Sequence, residues 1–152
     1  MNNLGIRVKP NEVAFAVYDS EANELVNVEK IKIPKALEDP EALKYVRNTI
    51  LDILREYKIM AAGIRITESN SQHLNIRRIE IEGVIQEAFA SSTLNSYYVG
   101  EISSIAAKVG IARADFKRFV DGVKDCDIVE NWAQLDSEER EAVLAAIGAV
   151  NA

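Results

Sequence analysis

Residues 3–9 read NLGIRVK and residues 60–68 read MAAGIRITE, and the predicted sheet is built on these two segments. Each is a short apolar run that contains the tripeptide Gly-Ile-Arg, first at residues 5–7 and again at residues 63–65. Short apolar runs of this kind are typical of strands in the middle of a covered sheet. If the two strands are neighbours, Arg7 and Arg65 project close together at the carboxyl end of the sheet, where ligands bind in open α/β sheets.

Two further strands are predicted shortly after the first. Val13–Tyr18 is rich in β-forming residues, and Leu25–Ile33 alternates apolar with polar residues. The alternation slips by one position near Glu29, which predicts a bulge or an edge strand. Short polar turns separate the three strands, so we expect an antiparallel meander.

A long helix is expected to connect this meander to residues 60–68. Asp39 and Pro40 predict its start, with Asp39 as the N-cap and Pro40 at the first helical position. Its apolar residues recur at helical spacing; they are Leu43, Val46, Ile50, Ile53, Leu54 and Tyr57. A strand, a helix and a second strand in one sheet imply a crossover, so we expect Met60–Thr67 to run parallel to the first strand.

The second half of the chain is predicted to be mainly helical. Ser69–Ser71 offers N-cap residues for a helix whose apolar face would run from Leu74 to Phe89. Asp136 and Glu139 have the spacing of a capping box and predict the start of a last helix. Between these helices the sequence predicts a strand at Asn95–Val99, short helices at Ile102–Val109 and Ala114–Val120, and an irregular segment that Trp132 anchors on the core. The expected fold is an α/β domain over residues 1–152, with a five-stranded mixed sheet covered by helices.

Composition and charge exclude several classes of protein. With 48% hydrophobic and 28% charged residues, the chain resembles a globular domain, and it has no apolar run long enough to span a membrane. Its net charge of −6 disfavours sequence-independent binding to duplex nucleic acid, which depends on neutralising phosphates. The N-terminus lacks the features of a signal peptide, so we expect a cytoplasmic protein.

The single cysteine and the single histidine limit the available chemistry. Cys126 and His73 can form neither an intramolecular disulfide nor a zinc site of the usual kind. The flanking aspartates would raise the pKa of the Cys126 thiol, and His73 is expected on a helix surface, so neither is predicted to be catalytic. The sequence contains no glycine-rich phosphate loop and no nucleophile elbow. The small basic groups are expected on solvated helix faces; they are Arg77, Arg78, Arg113, Lys117 and Arg118.

The order of elements resembles the ribonuclease H-like fold, and within it the RuvC-like branch of Holliday-junction resolvases. In that branch the first strand carries Gly-Ile-Asp, which corresponds here to Gly5-Ile6-Arg7. The fourth strand ends in Ile-Glu, which corresponds to Ile64-Arg65. The last helix carries aspartates in an Asp-Ala-Leu-Ala-like context, which residues 141–145, EAVLA, resemble. The chain is also similar to a small bacterial family of short ribonuclease H-like proteins.

The resemblance implies a two-metal nuclease, but this sequence departs from it at the metal ligands. Members of the branch cleave phosphodiesters with two divalent ions held between acidic side chains. Arg7 and Arg65 stand at two of those positions, and a guanidinium cannot ligate a cation. Of the expected set only Glu141 is left, with Glu68 three residues after Arg65. We therefore predict no catalytic residue, no metal site and no cofactor.

Two interpretations of the arginines are open at this stage. In the first, Arg7, Lys9 and Arg65 form a cationic pocket for a phosphate, a nucleotide or a carboxylate of a partner. In the second, Arg7 and Arg65 pair with Glu68, Glu141 or both, and the ion pairs tie the last helix to the sheet.

Two functional hypotheses follow from these interpretations. The first is a non-catalytic ribonuclease H-like module that binds a protein partner or assembles, as a homodimer or as a subunit of a larger complex. The alternative is a nuclease dependent on Mg²⁺ or Mn²⁺, or a nucleic-acid-binding protein, with a rebuilt acidic site. That site would be made from Asp19, Glu68, Asp136 and Glu141. It requires at least three carboxylates to converge on one point.

Overall fold

Five strands form one mixed sheet in the computed structural model, which describes every residue from Met1 to Ala152. The strands are β1 (Asn2–Val8), β2 (Glu12–Asp19), β3 (Glu24–Lys32), β4 (Ile59–Arg65) and β5 (Ser96–Gly100). Their order across the sheet is β3-β2-β1-β4-β5. The first three are antiparallel neighbours, whereas β1, β4 and β5 run parallel. The predicted meander, the crossover and the five-stranded mixed sheet are confirmed.

The two Gly-Ile-Arg tripeptides lie directly side by side. Gly5 is opposite Gly63, Ile6 is opposite Ile64, and Arg7 is opposite Arg65 in the parallel pairing of β1 with β4. Because side chains alternate between the faces of a strand, the isoleucines point to one face and the arginines to the other.

Helices cover both faces of the sheet. They are α1 (Asp39–Glu56), α2 (Ile76–Ser91), α3 (Ile102–Val109), α4 (Arg113–Val120) and α5 (Ser137–Gly148). α1 and α2 pack on one face, where Ile6 and Ile64 are fully buried in the larger core. α3, α4 and α5 cover the opposite face and form a second core around Trp132. None of the helices is long and apolar enough to cross a membrane.

Gly5 and Gly63 allow unusually close packing on the face that carries the arginines. A Cβ atom at Gly5 would collide with the carbonyl oxygen of Ala142 and the amide nitrogen of Ala146. The backbone of α5 therefore rests directly on β1. A Cβ atom at Gly63 would collide with the ring of Tyr98, whose hydroxyl donates to the carbonyl of Ala145 at 2.8 Å.

The starts of α1 and α2 differ from the predictions in their capping residues. The N-cap of α1 is Glu38, one residue before the predicted Asp39, and Glu38 forms a capping box with Glu41. α2 does not begin at Ser69–Ser71, because a tight turn there has the N–H of Ser71 donating to the carbonyl of Glu68 at 3.0 Å. The helix begins after Asn75, whose side chain accepts the N–H of Arg78.

The late start of α2 also changes its buried face. Leu74, Ile76 and Ile79 are exposed, although they were predicted to belong to the apolar face. The buried residues of the helix are Ile81, Glu82, Ile85, Ala88 and Phe89.

The bulge predicted in β3 is present but lies at a different residue. The pairing with β2 shifts between Val17 and Tyr18, opposite Val26 and not near Glu29.

The segment between α4 and α5 has little regular structure but is firmly attached. Trp132 is buried, as predicted, and its indole N–H donates to the carbonyl of Phe119 at 2.9 Å. Arg140 of α5 donates to the carbonyls of Val120, Trp132 and Ala133 at 3.0–3.2 Å. One arginine thus holds both ends of the segment through backbone oxygens.

Candidate functional site

Arg7 and Arg65 meet at a single carboxylate. Nε of Arg7 lies 2.8 Å from Oε2 of Glu141, and Nε of Arg65 lies 3.2 Å from the same atom. The side chains are 12%, 5% and 14% exposed, in the order Arg7, Arg65, Glu141. The cluster therefore lies mostly out of contact with solvent, at the carboxyl ends of β1 and β4.

Glu141 reaches this position because α5 approaches the sheet closely. The glycine at position 5 lets the backbone of α5 rest on β1, and Glu141 precedes Ala142, the residue at the point of contact. The start of α5 is fixed by the predicted capping box between Asp136 and Glu139, which is confirmed. Asp136 also pairs with Lys30 of β3.

Glu68 extends the cluster toward α3. Its Oε2 lies 3.2 Å from Nη1 of Arg65 and accepts the N–H of Ile102 at 3.0 Å. Its Oε1 lies 3.9 Å from Nη2 of Arg113. Glu68 therefore connects the end of β4 to the start of α3, and it is not aimed at Glu141.

A second buried carboxylate lies next to this connection. Glu82 of α2 is 4% exposed and accepts from both the N–H and the hydroxyl of Thr67, at 3.0 Å and 2.9 Å. Sequence reasoning missed it, because a glutamate in an amphipathic helix is normally assigned to the solvated face. Its role in the structure is to hold the loop after β4.

Burial and charge act in opposite directions on the pKa values of the cluster. Burial raises the pKa of the Glu141 carboxyl, and the guanidiniums of Arg7 and Arg65 oppose that rise. Burial lowers the pKa of Arg65, and the positive charge of Arg7 lowers it further, while Glu141 and Glu68 act to raise it. An arginine stays protonated under these conditions, so the cluster carries fixed positive charge.

Arg78 lies at the same end of β1 as the cluster, because the neighbouring Arg77 donates to Pro10, although the sequence assigned Arg78 to a solvated helix face. It is half-buried in the first turn of α2, and its charge acts on Glu141. Its Nε is buried without a hydrogen-bond partner. Its neighbour Arg77, by contrast, pairs with Asp39 at 2.6 Å and donates to the carbonyl of Pro10 at 2.6 Å.

Lys9 lies at the periphery of the cluster. Its Nζ is 3.8 Å from a carboxylate oxygen of Glu12 and 3.7 Å from one of Glu138. On the opposite side, a cavity of about 220 Å³ between α3, α4 and α5 reaches Glu141. Lys117 and Asp121 also line that cavity.

The residues at this end of the sheet do not fit a divalent metal pair. The four carboxylates of the predicted rebuilt site do not converge: Asp19 pairs with the N-terminal amine at the other end of the sheet, and Asp136 pairs with Lys30. No group of three or more His, Cys, Asp or Glu side chains is placed to hold a metal ion. The one central carboxylate, Glu141, is already taken by two guanidiniums, which would repel a cation.

The cysteine and the histidine lie outside the cluster. His73 is exposed in the loop before α2 and not on a helix. Cys126 is half-buried in the segment between α4 and α5, where burial is the main cause that raises its thiol pKa and Asp127 raises it further.

Comparison with known proteins identifies the fold. No protein-family model and no curated protein sequence matches the chain. Among solved structures, the RuvC protein of T. thermophilus in complex with a Holliday junction substrate is similar, with a TM-score of 0.69 and 14% identity. That similarity covers 97% of this chain and 92% of the other. The chain has the ribonuclease H-like fold in its RuvC-like form.

Two further RuvC-like structures are similar over almost the whole chain. T. thermophilus RuvC in a second structure has a TM-score of 0.70 at 14% identity, and covers 97% of this chain and 92% of that one. The yeast mitochondrial Holliday junction resolvase Ydc2 has a TM-score of 0.55 at 12% identity, and covers 96% of this chain and 76% of that one. At such low identity, these similarities establish the fold and not the activity.

Proposed function

We propose that this chain is a nucleic-acid-binding protein of the RuvC-like fold that does not cleave by the two-metal route. The observation that carries the proposal is the shared carboxylate of Glu141, held by Arg7 and Arg65. A two-metal site needs carboxylates with lone pairs free for the ions, and here two guanidiniums take the central one.

Arginine side chains at the ligand end of the sheet support binding to phosphates. Arg7 pairs with Glu141, Arg113 lies 3.9 Å from Glu68, and Lys117 lines the adjacent cavity. Guanidiniums bind phosphate oxygens in bidentate geometry. The solved RuvC that carries a Holliday junction substrate shares this fold over 97% of the present chain, so branched DNA is the first ligand to test.

The net charge of −6 makes a broad electrostatic footprint unfavourable and restricts the proposal to a small contact. We expect binding to a shape that presents a few phosphates at one place. On that basis the logarithm of the binding constant should fall with the logarithm of salt concentration with a slope of only about −2 to −3.

The test is fluorescence anisotropy with a four-way DNA junction and with a duplex of the same length, in EDTA and over a range of salt. The proposal expects saturable binding to the junction, weaker binding to the duplex and a shallow salt dependence. Incubation with Mg²⁺ and with Mn²⁺ should give no cleaved strand. Specific cleavage that a chelator abolishes would overturn the non-cleaving part, and absence of junction binding would overturn the nucleic-acid part.

A protein-binding or assembly role is the second candidate, and an exposed apolar edge favours it. Tyr97 and Val99 of the edge strand β5 are 44% and 37% exposed, on the sheet face next to α2. Exposed apolar edge strands are uncommon unless a partner covers them. Light scattering of the purified chain at several concentrations would detect self-association. Val99→Lys should then shift the protein to monomer, and an unchanged mass would contradict assembly through this edge.

A further inference from the structure

Arg78 is the one arginine in the molecule without an acceptor. Each of the other eight is within 4 Å of a carboxylate oxygen or donates to backbone carbonyls. Arg78 is half-buried, and its Nε is fully buried with no partner. Buried polar groups are almost always paired. Asn3, Arg65 and Glu141 also have one buried atom without a hydrogen bond, but each of those side chains makes an ion pair or another hydrogen bond, whereas Arg78 makes neither.

The surroundings of Arg78 make its position more unfavourable without an anion. Arg7 and Arg65 both pair with Glu141, and the first turn of α2, which carries Arg78, lies at the same end of β1, where Arg77 donates to the carbonyl of Pro10 at 2.6 Å. Glu68 does not neutralise the excess positive charge, because it already pairs with Arg65 and lies close to Arg113. Arg78 is also in the first turn of α2, where the helix dipole adds positive potential.

We infer that Arg78 and Arg7 bind a phosphate group at the carboxyl end of β1. Arg78 has all of its guanidinium N–H groups free, and the Nη2 of Arg7 has no acceptor either. Tetrahedral phosphate, with several oxygens and up to two negative charges, can accept from two guanidiniums at once. Lys9, 37% exposed at the edge of the cluster, adds positive charge on the solvent side.

The phosphate can belong to a small molecule or to a nucleic-acid backbone. In the second case the inference rests on the proposed function and assigns its contact point. In the first case it stands independently. Both sources present the same oxygens to Arg78, so the experiment must separate them.

The test compares wild-type protein with Arg78→Gln, and with Arg55→Gln as the matched control. Arg55 is an exposed arginine in the last turn of α1, where it pairs with Asp52. Arg78 has no partner to lose, so Arg78→Gln is expected to fold with an unchanged or higher melting temperature. Inorganic phosphate is titrated into each protein while the side-chain Nε–Hε resonances of the arginines are followed by NMR. The four-way junction is titrated by anisotropy in parallel.

The expected result is a saturable shift of the Arg78 resonance with phosphate, and junction binding that is about tenfold weaker in Arg78→Gln than in wild type or Arg55→Gln. A phosphate site that depends on Arg78, without junction binding, would keep the inference for a small phosphate compound and overturn the proposed function. Junction binding that is unchanged in Arg78→Gln, with no phosphate shift, would overturn the inference and leave the proposed function intact. Binding of neither probe would overturn both.

Discussion

The two Gly-Ile-Arg tripeptides occupy equivalent positions in neighbouring strands, yet only their isoleucines have equivalent surroundings. Ile6 and Ile64 are both fully buried under α1 and α2. Gly5 lies against the backbone of α5, whereas Gly63 lies against the ring of Tyr98. An identical local sequence therefore determines which face a residue occupies, but the helix or side chain that covers it determines its role.

The arginines of the two tripeptides differ in the same way. Arg7 forms an ion pair with Glu141 only, whereas Arg65 pairs with Glu141 and Glu68 and is the more buried of the two. Position in the sheet explains this difference. β4 continues into the loop that carries Glu68, while β1 turns away through Pro10 toward β2.

Substitution of the two glycines by alanine should give the largest difference in stability between the two tripeptides. Gly5→Ala forces a Cβ into the backbone of α5, which no side-chain rotation can relieve, and should lower the free energy of unfolding by more than about 3 kcal/mol. Gly63→Ala meets a side chain and should cost less, about 2 kcal/mol. Urea unfolding measures both.

Gly83→Ala in α2 is the matched control for the two glycine variants. A Cβ at Gly83 has no atom within 4 Å, and the helix propensity of alanine should stabilise the protein by about 1 kcal/mol. Equal losses for Gly5→Ala and Gly63→Ala would show that the two glycines have the same role after all.

Removal of the shared carboxylate tests whether the two arginines depend on it equally. Glu141→Gln leaves Arg7 without its only ion-pair partner and Arg65 with Glu68 alone, and should destabilise by about 3 kcal/mol. Glu80→Gln, an exposed glutamate of α2, should change stability by less than about 0.5 kcal/mol. Chemical denaturation with unchanged m-values would validate the comparison. A loss below about 1 kcal/mol would mean that Glu141 contributes little to holding α5 on the sheet.

Substitution of the more buried arginine by alanine should destabilise the protein more than substitution of the less buried one. Arg65→Ala leaves Glu68 without its closest ion-pair partner and should cost about 3 kcal/mol, whereas Arg7→Ala leaves Glu141 with Arg65 and should cost about 2 kcal/mol. Thermal and urea unfolding of both variants give the order. The reverse order would indicate that Arg7, not Arg65, is the main partner of Glu141.

The stability contributed by the contact at Gly63 should depend on pH, because a tyrosine ring makes that contact. The contact at Gly5 is made by backbone atoms of α5 and has no such dependence. Burial raises the pKa of the Tyr98 hydroxyl above its ordinary value of 10.0, so the unfolded chain ionises first. The stability that Tyr98 contributes is therefore full below pH 10 and falls as pH rises above it. Tyr98→Phe should lose about 1 kcal/mol at neutral pH with its hydrogen bond to Ala145, and should lose less on going from pH 9 to pH 11. Parallel alkaline profiles for the two proteins would contradict this assignment.

Most of the fold could be predicted from local patterns. The meander follows from three apolar runs with polar turns between them, and the parallel pairing of β1 and β4 follows from the helix that connects them. α3 was predicted with its bounds, and Gly110 ends it in the left-handed conformation with φ 87°. These features depend on residues close in sequence, where periodicity and capping are informative.

What could not be predicted depends on contacts between distant residues. The start of α2 is set by a turn at Glu68–Ser71 that competes with the N-cap signals of the same residues. Arg78 and Glu82 read as residues of a solvated helix surface, because a helix pattern reveals neither that Glu82 is buried against Thr67 after β4 nor that Arg78 is half-buried. The strand pattern placed Arg7 and Arg65 at one end of the sheet and the resemblance added Glu141, but neither could show that both guanidiniums pair with the same carboxylate oxygen.

Arg140 has a consequence for how the chain can vary. Its hydrogen bonds to the segment between α4 and α5 all go to backbone carbonyls, those of Val120, Trp132 and Ala133, so these bonds do not depend on the side chains of the residues between them. The exposed residues Val123, Asp125 and Asp127 can therefore be exchanged while the path of the backbone is preserved, whereas Cys126 and Ile128 pack against the second core. The segment is a suitable place to introduce a fluorophore or an epitope, and Arg140 is the residue that such an engineered chain must keep.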